Sequence, residues 1–186
     1  MNRSHVGRAG TVALALGVLL TGPATVFAAN IVTENVTAGT RTASITNLAL
    51  QSLPVAHIDT TTAGDSLALG VDDSSGTGAG WNVTIVSSNL VYSGANNGAD
   101  IPADHLAIGT PVAPGRTAGQ AIDATNGPLL VGTGGTLDAP IKVINAAADF
   151  GQGTYTQSIP VALTVPADSR VGTYTATLTV SITAGP

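Results

Sequence analysis

Few residues in this chain could do chemistry. There are three histidines, no cysteine, and 11 acidic against six basic residues. Of the histidines, His57 and His105 stand outside the first 28 residues. Neither has the H-E-x-x-H spacing that puts two imidazoles on one helical face for zinc. His57-Ile58-Asp59 and Asp104-His105 each place a carboxylate near an imidazole, as a base and its orienter require. No G-x-S-x-G elbow accompanies them to supply a nucleophile, so they read as surface or strand-end histidines. Glycoside hydrolysis needs two carboxylates facing each other across a cleft that grips sugar. Glu34, Asp72, Asp73, Asp100, Asp104 and Asp149 are the candidates, but one Trp, three Tyr and two Phe leave few rings to line such a cleft. The lack of cysteine removes thiolate metal sites, iron–sulfur clusters, thiol nucleophiles and disulfides. Asp72-Asp73-Ser74-Ser75-Gly76 gathers oxygen ligands at a turn, which suits calcium. Its spacing departs from D-x-[DN]-x-[DN]-G, and the alternative is a turn that satisfies its own backbone. Gly76-x-Gly-x-Gly and Gly132-Thr133-Gly134-Gly135 are followed by neither a helix pattern nor a lysine, so they are not phosphate loops. The expectation is a protein without catalytic residues, metal or cofactor.

Composition narrows the partners. Charged residues make up 9% of the 186, against about 25% in ordinary soluble chains. Hydrophobic residues at 44% exclude a highly charged disordered chain. The few basic residues cannot form a nucleic-acid footprint. Residues 1–28 read as a secretory leader: Arg3 and Arg8, then the ten-residue apolar run Thr11–Leu20, a break at Gly22-Pro23, and Val26-Phe27-Ala28 before the cut. Ten apolar residues cover only half of a bilayer core, which takes roughly 20. No second apolar run of membrane length follows, so no membrane span is expected in the mature chain, 29–186, whose net charge is −7. No cysteine follows the cut to carry a lipid anchor.

Strands must position whatever this chain presents. Thr173–Thr183 alternates: Tyr174, Ala176, Leu178, Val180 and Ile182 share one face, and threonines with Ser181 share the other. That is a half-buried strand with a hydroxyl-coated outer face, which is either a glycan-facing surface or simply a solvated one. Ser158–Val165 also alternates, with Pro160 arguing for an edge or a strand start. With Pro166–Gly172 as a turn-rich connection, the two are expected to form a hairpin. Ser66–Val71 and Trp81–Ser87, separated by Asp72–Gly80, make a similar pair. Ala43–Leu50, Leu53–Ile58 and Lys142–Ala146 are weaker strands. Ser93–Pro140 is rich in Gly, Pro, Ala and Asn and reads as long loops with one or two short strands, near Leu106 and Leu129–Val131. Seven or more short strands with turn signals between them predict an all-β fold, an antiparallel β-sandwich with long Gly/Pro-rich loops. On alternation, Trp81 shares an inward face with Val83 and Ile85. Its alternative is an exposed ring beside a Gly-rich loop, stacking on a sugar or a partner.

Two blocks carry a family resemblance. One is Asp72–Ser87, with Gly76-Thr-Gly-Ala-Gly-Trp-Asn-Val-Thr-Ile-Val at its centre; the other is Phe150–Pro186, with Gly151-Gln-Gly-Thr-Tyr near its start and the closing Val165–Pro186 run. Together and in this order they resemble the WxL domain of Gram-positive surface proteins. The resemblance covers most of residues 29–186, read as a single WxL-like domain. In that family a Trp-x-Leu-like motif follows a Gly-rich turn, and a second lies in the last strand. Here the first reads Trp81-Asn82-Val83 and the second Val180-Ser181-Ile182, without its Trp. The resemblance implies an exported protein of the cell surface and cell wall, bound non-covalently to peptidoglycan or another wall polymer, with other surface proteins as further partners. By position it makes Trp81, Asn82, Val83, Val180 and Ile182 the binding candidates. Pairing with other surface proteins through edge strands is the alternative function.

Overall fold

Alternating Thr, Val, Leu and Ile put nearly half of the described residues into antiparallel strands, and where each strand lies is decided by which ladder edges are free. The computed structural model describes residues 33–186, with Val36–Pro186 forming one compact unit. The expected leader, 1–28, lies outside the described residues. In chain order the strands are β1 (Arg41–Ile45), β2 (Thr60–Thr61), β3 (Asp65–Asp73), β4 (Trp81–Ser87), β5 (Val91–Ser93), β6 (Leu106–Ile108) and β7 (Gly115–Gly119). They continue with β8 (Leu129–Leu130), β9 (Gly135–Thr136), β10 (Ile141–Ala146), β11 (Gly153–Val165), β12 (Thr173–Thr175) and β13 (Leu178–Ala184). One sheet runs β1-β3-β11-β6-β9, with β2 and β7 also on β11. A second runs β13-β4-β10-β8, and β12-β5 form a small ribbon. The fold is the expected all-β antiparallel sandwich.

Its core lies between the inner faces. Leu67, Leu69 and Val71 of β3 and Tyr155, Ile159 and Val161 of β11 meet Trp81, Val83 and Ile85 of β4 and Val143 and Ile144 of β10. The burial of β11 and β3 follows period two, with odd-numbered residues inward, as a sheet with one wet face requires.

Neither expected hairpin forms. β11 is paired with β3 along Gly153–Val161 on one side and with β7 and β6 on the other. No ladder is left there for the last strand, so the chain crosses to the second sheet, where β13 pairs β4 in register from Leu178↔Ser87 to Ala184↔Trp81. Likewise β3 is flanked by β1 and β11, and β4 goes to the other sheet. The Thr173–Thr183 strand keeps its alternation throughout but divides at Ala176-Thr177, where Ser88 exchanges hydrogen bonds with Thr177. Its first part pairs β5 instead of β4.

Pro160 sits inside a 13-residue central strand, not at an edge or start. Its carbonyl accepts from Gly109 N–H (2.9 Å). A strand residue's N and C=O point the same way, so the missing donor faces the irregular stretch between β6 and β7 and the β3 ladder loses nothing. Leu53–Ile58 forms no strand, and Ser93–Pro140 holds β6 to β9 with a single 3₁₀ turn, Ala103–His105.

One inner-face residue breaks the pattern. Gln157 is 4% exposed, its Oε1 has no partner among the described residues, and its Nε2 reaches the Val143 carbonyl only at 3.4 Å. That carbonyl already accepts from Val131 N–H at 3.0 Å. A buried, half-satisfied amide opposes folding. Gln157→Met is therefore expected to be neutral or to raise stability by about 1 kcal/mol in urea unfolding. A loss of that size would show that the amide is satisfied in solution.

Candidate functional site

The two motif blocks come together on the second sheet. Val83 of the first lies directly opposite Ile182 of the second, and Val180 lies opposite Ile85. All four point to the inner face; Val83 is fully buried, and Val180 and Ile182 are half-buried on the outermost strand. Trp81 opens β4 between Ala146 of β10 and Ala184 of β13, two small neighbours that leave a slot for the indole. The ring is 0% exposed. Its Nε1–H donates to the Gly151 carbonyl (2.9 Å), and Tyr155 packs against it with centroids 6.1 Å apart. Gly151, at φ +82°, comes so close that a Cβ there would lie 2.7 Å from the indole nitrogen.

This placement corrects the reading of Trp81 and Val83 as contact residues. Alternation put Trp81 inward, and inward it lies, so no polymer can stack on it. The half-exposed tyrosines, Tyr92 and Tyr174, staple the β5–β12 ribbon together at 5.3 Å, each hydroxyl donating to a backbone carbonyl, of Val171 and Arg170 respectively. Tyr174 has the inward parity of Leu178 and Val180, so it lies away from the threonine face.

The loop from β3 to β4 is an arch held by charge. Arg41 Nη2 donates to Asp73 Oδ2 (3.1 Å) and Ser75 Oγ (3.1 Å), and Asp73 Oδ1 accepts from Ser75 N–H (3.0 Å) and Oγ–H (2.6 Å). Burial pushes the Asp73 carboxyl up, but the Ser75 hydroxyl and N–H and the Arg41 guanidinium outweigh it, so its pKa falls below 3.8. Asp72, next along the strand, points to the opposite face and accepts from Thr154 Oγ1 (2.8 Å). The calcium reading fails on this alternation: the two carboxylates diverge, and each is engaged by the protein itself. His57 pairs with Asp168 (2.7 Å) rather than Asp59, which accepts from Ala167 N–H, and His105 bonds the Thr164 carbonyl (3.0 Å). Among the described residues no three His, Asp or Glu side chains converge.

The outer face of the same sheet is where the motifs meet solvent. Asn82 and Thr84 of β4 point outward, the reverse of Val83 and Ile85. Thr183 and Asn145 flank Asn82, and Ser181 and Lys142 flank Thr84. Directly opposed residues share a face. The result is two rows, Thr183–Asn82–Asn145 and Ser181–Thr84–Lys142, each about 10 Å across and about 7 Å apart. Every member is half or fully exposed. Asn82 Nδ2 donates to the Gly185 carbonyl (2.8 Å), which fixes the amide and leaves its oxygen free to accept. Lys142, the chain's one lysine, has no carboxylate within 4.0 Å among the described residues. Of the expected site residues, Asn82 alone belongs to this surface. Lys142 and Asn145 could not be read from sequence, because a bulge at Val143 resets the parity of β10 between them.

The protein is thus an antiparallel sandwich that keeps its one tryptophan dry and carries five uncharged polar side chains and one lysine on the outer face of β13-β4-β10. The model of the WxL domain, a surface cell wall-binding domain, matches residues 25–186, and the chain belongs to that family. It is thus a cell-wall-binding protein of the cell surface, in a family defined by binding and not by a reaction. No curated protein and no solved structure matches it. Among the described residues no helix is long and apolar enough to cross a membrane.

Two consequences are measurable. Trp81→Phe keeps most of the apolar volume but leaves the Gly151 carbonyl buried and unpaired, at a cost of about 1–3 kcal/mol; Trp81→Ala adds a cavity and costs about 3–5 kcal/mol. Chemical denaturation checks both. For Asp73 the folded pKa is the lower one, so its stabilisation is full above about pH 3.8 and is lost as pH falls through the depressed value. The stability gap between the wild type and Asp73→Asn should stay constant from neutral pH to about 4 and close only below it. A gap that closes at higher pH would show that the carboxyl is not held down.

Proposed function

We propose that this protein is exported by its first 28 residues and held non-covalently on peptidoglycan through the outer face of the β13-β4-β10 sheet. The observation that carries this reading is the double row Thr183–Asn82–Asn145 and Ser181–Thr84–Lys142, produced on the solvent side by the same strands whose inner side buries the motif residues. Hydroxyl and amide groups both donate and accept, as the hydroxyls and N-acetyl amides of a glycan demand. The lysine adds a cation for a carboxylate of a peptide stem. Each contact is modest, so retention comes from many molecules and repeated sites along a polymer. An acidic chain gains nothing by net charge from anionic secondary polymers, which favours the glycan and its peptides as the receptor.

The test is co-sedimentation with isolated Gram-positive walls, intact and stripped of secondary polymers. The protein should pellet with both. The triple variant Asn82→Ala, Thr84→Ala, Lys142→Ala changes only outward side chains and should lower retention roughly tenfold with far-UV CD unchanged. Equal retention of variant and wild type would remove this face from the contact, and no retention on stripped walls would remove peptidoglycan as receptor.

A second reading, assembly with other surface proteins through an edge strand, is favoured by one observation: β13 lies at the end of its sheet.

A further inference from the structure

The seven residues of β13 have one ladder made and one unmade. Gly185 N–H donates to the Gly80 carbonyl, and the Thr177 carbonyl accepts from Ser88 N–H. Odd-numbered residues therefore turn their backbone groups toward β4. By alternation, Leu178, Val180, Ile182 and Ala184 turn theirs to the other side, where β13 ends the sheet and no described residue pairs with it. Edge strands are normally blunted by brevity, charge, proline or a bulge. The other strands paired on one side only fit this rule: β2, β8 and β9 have two residues each, β5 and β12 three, β1 five with Arg41, and β7 five with Arg116 and a bulge. β13 has seven residues, with no proline, charged side chain or bulge, and no side chain of Val171–Pro186 is charged.

We propose that this edge pairs, antiparallel and about a two-fold axis, with the same strand of a second copy. This rests on the edge-strand reading above and narrows its partner to the chain itself. The backbone is self-complementary. An axis through Ser181 sets Leu178 opposite Ala184 of the partner subunit and Val180 opposite the partner's Ile182, which joins all four outward-facing residues; axes at neighbouring positions join fewer. The side chains agree. Half-buried Leu178, Val180 and Ile182 continue into the same apolar row of the partner, while Thr179 meets the partner's Thr183 on the hydroxyl face. Charge selects the surface as well. Two acidic copies repel over most approaches, but along an uncharged strand they bring no like charges together. The contact is short beside a standard interface, so the dimer is weak and concentration-dependent in solution and favoured where copies crowd on a polymer.

The chain's lack of cysteine makes the test selective. Across the axis, Ser181 faces the partner's Ser181 as a non-hydrogen-bonded pair, Cα atoms about 4.5 Å apart, within disulfide reach. Under mild oxidation Ser181→Cys should yield covalent dimer at least about tenfold faster than Thr179→Cys, whose counterpart faces threonine. Sedimentation equilibrium of the wild type should show mass rising toward twice the monomer with concentration. Val180→Pro, which deletes one outward N–H and no bond to β4, should stay monomeric with unchanged CD. A wild type that is monomeric throughout, equal cross-linking of the two cysteine variants, or a dimer that survives Val180→Pro overturns the proposal. Cross-linking on cells through a photoreactive group attached to Cys-substituted position 181, which needs no thiol on the partner, separates the two failures. Adducts with other surface proteins alone overturn self-pairing and keep the edge reading, and no adduct of any kind overturns both.

Discussion

One hydrogen bond sits where the connections between the sheets converge: the indole N–H of Trp81 to the carbonyl of Gly151. Trp81 is the first residue of β4 and follows the arch that brings the chain from the first sheet to the second. Gly151 lies in the return from β10 in the second sheet to β11 in the first. The two crossovers are also joined directly, by Asp149 N–H to the Gly78 carbonyl (2.8 Å). A sandwich without disulfides must fix the relation of its layers by packing. Here the largest side chain in the protein does so, in a site where its only polar atom finds a partner and water is excluded. The demand passes outward. The slot needs alanines at 146 and 184, a residue without Cβ at 151, and an arch that ends at a fixed point. Gly80 meets the last requirement at φ +67°, where a Cβ would lie 2.6 Å from the Ala146 carbonyl oxygen.

The Arg41–Asp73–Ser75 cluster belongs to the same construction. It ties β1 to the start of the arch, while Trp81 ties the arch's end to the far crossover. Loops of this composition are floppy in isolation, since serine, glycine and aspartate have little apolar surface to bury. A guanidinium bonded to both carboxylate and hydroxyl gives the arch a defined path, and the depressed carboxyl keeps that path charged in acid. Asn82 and Thr84 lie on a strand that begins from a fully buried indole hydrogen-bonded to Gly151.

How far the sequence revealed this depends on the range of the interactions. The hydroxyl face of Thr173–Thr183 was legible residue by residue, because alternation is local and one face is wet. Inward Trp81 was legible for the same reason. Which strands pair was not. The hairpin expectations failed because β3 and β11 have both edges occupied by strands distant in sequence, and nothing in a seven- or nine-residue connection records that. Pro160 misled through the same gap: its cost depends on which way its nitrogen faces, and that follows from the break between β6 and β7. The candidate surface was half legible. Asn82 and Ser181 lie within the recognised motifs, whereas Lys142 and Asn145 join it through a register shift that no periodicity shows.

The absent second tryptophan takes on meaning in this frame. Its position, Val180, is on the inner face of the outermost strand, opposite Ile85, in line with the core but at its margin. A large ring there would cover the flank of the sandwich as Trp81 covers its end. With valine, the apolar row of β13 is left half-buried and the strand's outward backbone groups have no bulky neighbour beside them. The same strand thus has three separable surfaces: side chains inward to the core, hydroxyls outward to solvent, and amides sideways. The polymer contact proposed above would use the second and the proposed self-pairing the third, so neither would displace the other. A paired sheet would also double the row of hydroxyls on one continuous face, which lengthens the stretch of polymer that a single bound unit can follow.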